Sequence, residues 1–464
     1  MSEPARRHAA RPSPAARTAR RAPRRAPALL AVLLTGVALP AAARADTFPV
    51  QPGDDLQAVL DGATGEDVVR LSAGTYTGRF VIGAGKDGLR VEGKGKAVVD
   101  LLDVEEGGPL VGLEIASSDV TLRNLTLRHA PEDSVAVSAT ALGLSGLVLE
   151  RLTILNARGR AIDLAGDDHR VDRCTIVGAR DSAVVVEGDG AVITRCDIRQ
   201  CEEDAVSVDG DDAEVSRNTI ADIRGDNGVD VLGAGALVSR NTISRTDDSA
   251  VNVDGDDAVV DRNRVEGVVT DSGVRVQGAN PTVTANRIEA VQNTQVGLSV
   301  TSLSGGGLVD ANTVQRGSGT GLRVSGTGLT VSRNKVFDCG VRGFGLQLLG
   351  DLHVVTQNQV RRCHQDGLRL DGNGLTLERN TIRDNHEDGL VVGSGDGTLL
   401  DRNTIRNNAS EGVENGGTNT TLRANNVRQN RIDVVNDTDG GATLVIEDGN
   451  TIGDGSDGSA SPEV

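Results

Sequence analysis

Apolar and polar positions alternate in short runs along most of this chain, and each run closes on Gly, Asp or Asn. Gly367-Leu368-Arg369-Leu370 is one such run. Asp371-Gly372-Asn373-Gly374 follows as a turn, and Leu375-Thr376-Leu377 alternates again. A period of two predicts strands with one buried face, and Gly/Asp clusters predict the turns between them. Only Asp54 to Asp61 reads as a helix, short and amphipathic, and no later run keeps a helical period long enough to compete.

The runs recur as a unit marked by Arg-Asn-Thr-Ile and its variants. Asn124, Asn218, Asn241, Asn263, Asn286, Asn312, Asn334, Asn358, Asn380, Asn403, Asn425 and Asn450 read as one slot, which Arg151, Cys174 and Cys196 fill in the gap. Fifteen markers spaced 22 to 27 residues apart predict one supersecondary unit per repeat, stacked on its neighbours. A unit of this length holding three short strands is one coil of a parallel β-helix, with coils rising about 4.8 Å each. Every slot then becomes a column. Stacked Asn amides satisfy one another in such a column, which makes their burial tolerable. A second column of this kind holds Asn385, Asn408 and Asn430, with Cys201, Cys339 and Cys363 in the same slot.

These coils resemble the pectate-lyase-like parallel β-helix superfamily, and specifically its generic right-handed β-helix repeat group with NosD-like proteins and carbohydrate-binding or sugar-hydrolase domains. The entry from Gln57 to Ala73-Gly74-Thr75-Tyr76 resembles the usual start of that fold. The resemblance implies an all-β, right-handed parallel β-helix solenoid of about 15 coils with a short N-terminal capping helix. Fold does not carry function with it, because that group mixes lyases, hydrolases, epimerases and adhesins.

Four segments follow: a leader over 1–45, a cap and first coils over 46–100, repeats over 101–452, and a flexible tail over 453–464. The leader has nine Arg and one acid, an apolar run from Ala28 to Leu39, and Ala43-Arg44-Ala45 as a cleavage pattern. The expected destination is outside the cytoplasm, secreted or periplasmic, with no transmembrane segment and a monomeric state. Without the leader the chain carries 39 basic and 65 acidic residues, a net −26. Such a surface repels nucleic acid. With no Trp, one Tyr and four Phe, the core must be aliphatic, and ring platforms for a deep sugar cleft are lacking.

In the resembling superfamily the active site lies outside one sheet. The outward residues there are Asp163, Val185, Ser207, Asp230, Asn252, Arg275, Ser299, Arg323, Gln347, Arg369, Val391 and Glu414. A β-elimination site of the pectate-lyase kind falls nearest to Asp230, Asn252 and Arg275, with the arginine as base. Acidic columns flank this strand: Asp181, Glu203, Asp226, Asp248 and Asp271 before it, Asp209 and Asp254 after it. Adjacent carboxylates repel unless a cation bridges them or a proton is retained. Clustered oxygen ligands suit Ca²⁺, so a calcium edge and a merely solvated edge both stand. His364 aligns with His386 and Asp366 with Asp388, as for a transition-metal site, an acid–base pair or plain turn chemistry. Cys174 and Cys196, like Cys339 and Cys363, stack within disulfide reach, although buried thiols fit an inward column better.

The evenness of the coils leaves little wall for a cleft. It favours a binding scaffold for an extracellular polysaccharide, a cation or a surface protein. The alternatives are a lyase or hydrolase on acidic polysaccharide and a NosD-like periplasmic maturation protein.

Overall fold

The computed structural model of the protein describes residues 45–101, 111–128, 135–292, 296–340 and 343–453. The expected leader lies outside the described residues except for Ala45, and the expected tail except for Gly453. From Thr47 to Gly453 the chain is a parallel β-solenoid. Each coil gives one short strand to sheet 1, then sheet 2, then sheet 3, and among the described residues these hold 18, 17 and 16 strands. In one coil Arg170–Asp172, Thr175–Val177 and Val184–Glu187 occupy the three sheets, and Val192–Thr194 then pairs in parallel beside Arg170–Asp172. There are about 17 turns rather than 15. The sheet 1 strands Thr47–Val50, Val68–Leu71 and Arg90–Gly93 open the stack without an Arg-Asn-Thr-Ile phrase, so markers alone undercount.

The core is aliphatic, as composition requires. Val171, Ile193, Val215, Val238 and Val260 rise through sheet 1 as one buried column. Tyr76 and Phe80 are buried near the start of the stack, and the Tyr76 hydroxyl lies 2.8 Å from the Val50 carbonyl oxygen. Helix α1 (Leu56–Gly62) covers that end. Asp55 caps it by accepting from the Ala58 amide at 3.0 Å, and Leu56 and Leu60 are buried in the common core. This is the expected capping helix.

The Asn column runs unbroken from Asn218 to Asn450. At each step the side-chain amide donates to the next Asn Oδ1, at 3.0 Å from Asn286 to Asn312, and also to a core-side carbonyl, here Val260 O at 2.8 Å. The same Oδ1 accepts the backbone N–H of the preceding Asn at 2.9 Å. Two slot assignments need correction. Register pairs Thr126 with Thr153 and Thr153 with Thr175, which puts Leu125 and Leu152 below Cys174 and Cys196 in the ladder column. Asn124 and Arg151 sit one residue earlier, at a left-handed bend (φ 55° and 52°) that Arg173, Arg195, Arg217 and Arg240 also occupy. Guanidiniums at this bend reach acids of neighbouring coils, as Arg195 does to Asp172 at 3.0 Å.

The second ladder runs from Cys363 through Asn385 and Asn408 to Asn430, where the Asp433 carboxylate accepts from the Asn430 side chain at 3.0 Å. It explains the glycines outside it. A Cβ on Gly367 would lie 2.4 Å from Asn385 Nδ2 and 2.7 Å from the Gly389 carbonyl. All five cysteines are free and buried, with no disulfide between the stacked pairs.

Candidate functional site

The strands of sheet 3 carry a central outward side chain on each coil, and many end on a second. Pairing fixes the column from Asp163 through Val185, Ser207, Asp230, Asn252 and Arg275 to Ser299, and on through Arg323, Gln347, Arg369 and Val391 to Glu414. The three residues expected to lie together do so. Asn252 Nδ2 donates to Asp230 Oδ1 at 2.7 Å, and Arg275 follows on the next coil, within reach of the Asp230 charge. Burial raises the Asp230 carboxyl, Asp226 and Asp254 add to this, and Asn252 and Arg275 oppose it.

The leading edge of the sheet holds the residues expected to bind calcium. Arg160 lies 3.2 Å from Asp163 and 3.7 Å from Asp181. Glu203 is raised first by its hydrogen bond with Asp181 and then by burial. Burial, then Asp271 and Asp226, raise Asp248, and Asp271 accepts from the Ser249 hydroxyl at 2.9 Å. The Arg160 guanidinium relieves part of the repulsion along this edge. On the trailing edge Leu232 stands between Asp209 and Asp254, separating them by two coil rises. Among the described residues no three His, Cys, Asp or Glu side chains converge as a metal site requires.

Arg158, Arg160, Arg180, Asp181, Glu202 and Glu203 line a concavity of about 470 Å³ that reaches Asp163, at the foot of the outward column. Asp204 stands beside it. It is 9% exposed, and burial, helped by Asp226, pushes its carboxyl up to about 7. A proton donor near neutrality thus lies within electrostatic reach of Asp226 and Asp230.

His364 and His386 stack as expected, with ring centroids 4.7 Å apart and 27° between planes, and His386 Nδ1 lies 3.1 Å from the Cys363 carbonyl. Asp366 and Asp388 also stack, the Asp388 amide donating to Asp366 Oδ1 at 3.2 Å. The partner of Asp388 is not a histidine, however. Burial raises Asp388 to about 7, and so does its hydrogen bond with Glu411 on the next coil. Burial works to raise Glu411 too, but hydrogen bonds from Asp388 and Ser410 and the Arg431 charge hold it low. The shared proton therefore sits on Asp388.

Sequence reasoning passed over Arg160, Asp204 and Glu411. Asp204, Asp366, Asp388 and Glu411 all stand two residues before the first inward residue of their strands, at Val206, Leu368, Leu390 and Val413. Aligning on that residue finds them, whereas the marker phrase does not.

No curated protein matches the sequence. Among solved structures, the chain is similar to a variant of the periplasmic alginate epimerase AlgG, at 11% identity over 76% of this chain and 83% of that one, TM-score 0.36. It is also similar to the catalytic unit of a thermostable alpha-1,3-glucanase from Streptomyces thermodiastaticus, at 15% identity over 90% and 71%, TM-score 0.39. PfbA, a surface adhesin of Streptococcus pneumoniae, matches at 11% identity over 78% and 86%, TM-score 0.32. The family described as a right handed beta helix region matches residues 160–305, 227–374 and 366–458. With more than half of its length matched and with three parallel sheets wound into one solenoid, the chain belongs to the right handed beta helix family.

Proposed function

We propose that this protein is an exported binding solenoid that holds a chain of sugar rings along the outward face of sheet 3. One observation carries the reading. From Asp163 to Glu414 each coil places its central outward side chain in unbroken register, and all but Val185 and Val391 are polar. A column that repeats every 4.8 Å or so offers regularly spaced hydrogen-bonding groups to an extended, repeating ligand. The open concavity beside Asp163 gives one end of that ligand a charged seat.

A second reading, hydrolysis of the bound glycan, is favoured by Asp204. It keeps its proton to about pH 7 beside Asp226 and Asp230, which is the acid-and-carboxylate arrangement that glycoside cleavage uses. A panel of neutral, acidic and amino polysaccharides tests both readings. Binding without new reducing ends supports the scaffold, and binding with reducing ends that Asp204→Asn abolishes supports the hydrolase. Absence of binding across the panel overturns the proposal.

A further inference from the structure

Sheet 2 carries a feature that the reading of sheet 3 does not use. One of its outward columns is mixed lower down, where Arg128 and Arg199 stand among apolar, neutral and acidic residues, and then is basic on four consecutive coils. Register stacks Arg361 under Arg383, Arg383 under Arg406, and Arg406 under Arg428, over three rises of about 4.8 Å. The parallel outward column two residues earlier is neutral throughout these coils: Gln359, Thr381, Thr404 and Asn426.

Internal neutralisation is sparse. Arg383 pairs with Asp384. The Arg361 guanidinium lies 5.0 Å from the centre of the Phe337 ring, a cation–π contact that holds it flat without removing its charge. The adjacent Arg362 is already matched to Asp338 at 2.7 Å. Arg361, Arg406 and Arg428 form no ion pair among the described residues, although the Arg361 charge reaches Asp338. Arg406 Nε is moreover shielded from solvent with no acceptor, and Asn426 Oδ1 on the next coil is shielded with no donor. Stacked guanidiniums repel, and a shielded, unpartnered donor costs free energy. An anion lying along the column relieves the repulsion.

We propose that the Arg361–Arg383–Arg406–Arg428 ladder is a binding site for a single-chain acidic polysaccharide, whose carboxylates bridge successive guanidiniums. Carboxylate geometry matches the guanidinium fork, and one acid per ring suits one arginine per coil. The short basic strip on a chain of net charge −18 disfavours nucleic acid, which needs many phosphate contacts.

The test is titration calorimetry on the whole exported chain with oligogalacturonate, at low and high salt. Binding is expected at low salt, with a loss of about tenfold or more in R406Q/R428Q and a steep fall with added salt. D384N, which removes the competing carboxylate, should bind several-fold tighter. R199Q, an outward sheet 2 arginine far down the stack and paired with Asp197, should bind as the parent does. Circular dichroism and the melting temperature establish that each variant is folded. No binding by the parent chain, equal binding by folded R406Q/R428Q, or equally tight binding of single-stranded DNA would overturn the proposal.

Discussion

Asn334 and Asn312 are bound twice over: Asn334 Oδ1 accepts the Asn312 side-chain amide at 3.0 Å and the Asn312 backbone N–H at 2.9 Å. Replacing Asn334 by Leu leaves two buried donors without an acceptor. A destabilisation of about 3–5 kcal/mol is expected. Asn450→Ala at the half-exposed end of the ladder should cost less than about 1.5 kcal/mol. Chemical denaturation of both variants checks the contrast, and equal effects would mean that the ladder has no interior.

The ladder can also be lengthened. Cys196 occupies its next slot, and its backbone N–H already donates to Asn218 Oδ1 at 2.8 Å. Cys196→Asn adds an amide that can donate to the same oxygen, so its stability should stay within about 1 kcal/mol of the parent. Cys196→Asp puts a carboxylate against that oxygen and should unfold at clearly lower denaturant. If the two variants melt alike, the slot assignment made here fails.

The five thiols make a chemical prediction. Burial pushes Cys201 up to about 12, and the hydrogen-bonded pairs raise Cys174 and Cys339 well above the ordinary thiol range. Thiolates are the reactive species. A thiol reagent should therefore find almost nothing in the folded protein and five equivalents after unfolding without reductant. A count of three or one would reveal disulfides.

Asp204 and Asp388 set the pH dependence. Each retains its proton to about pH 7 when folded but loses it near 3.8 when unfolded. Between these values the folded chain binds more protons, so their contribution falls as pH rises through that window. Asp204→Asn keeps an acceptor for the Asn227 amide, now 2.9 Å from the carboxylate. It should raise stability by about 1–2 kcal/mol at pH 8 and leave it unchanged at pH 4. Melting curves at the two pH values decide this, and a loss of stability at pH 8 would refute the assignment.

The solenoid was legible in the sequence because every coil repeats one pattern, so the identity of Asp230's neighbours on sheet 3 followed from counting alone. Slots were misread where the marker changed chemistry. An Asn at 124 looks like a ladder residue, yet register puts Leu125 there and gives Asn124 the left-handed bend. The acidic edge was visible but its electrostatics were not. Whether a carboxylate meets a cation, an arginine or a proton depends on side-chain reach between coils, which brings Arg160 to Asp181 and Glu411 to Asp388. The arginine ladder of sheet 2 was not legible because Arg361, Arg383, Arg406 and Arg428 become one column only once register stacks their strands.

The central claim is that sheet 3 presents the ligand-binding face. Its most direct test is the affinity of the best-bound glycan from the panel for the parent chain and for Asn252→Trp, whose ring would stand on the middle of the outward column. Sheet 1 carries the control, Glu214→Gln, on a different outward face. A loss of about tenfold or more in Asn252→Trp, with the control unchanged, is the predicted result. Undiminished binding by a folded Asn252→Trp protein would contradict the account.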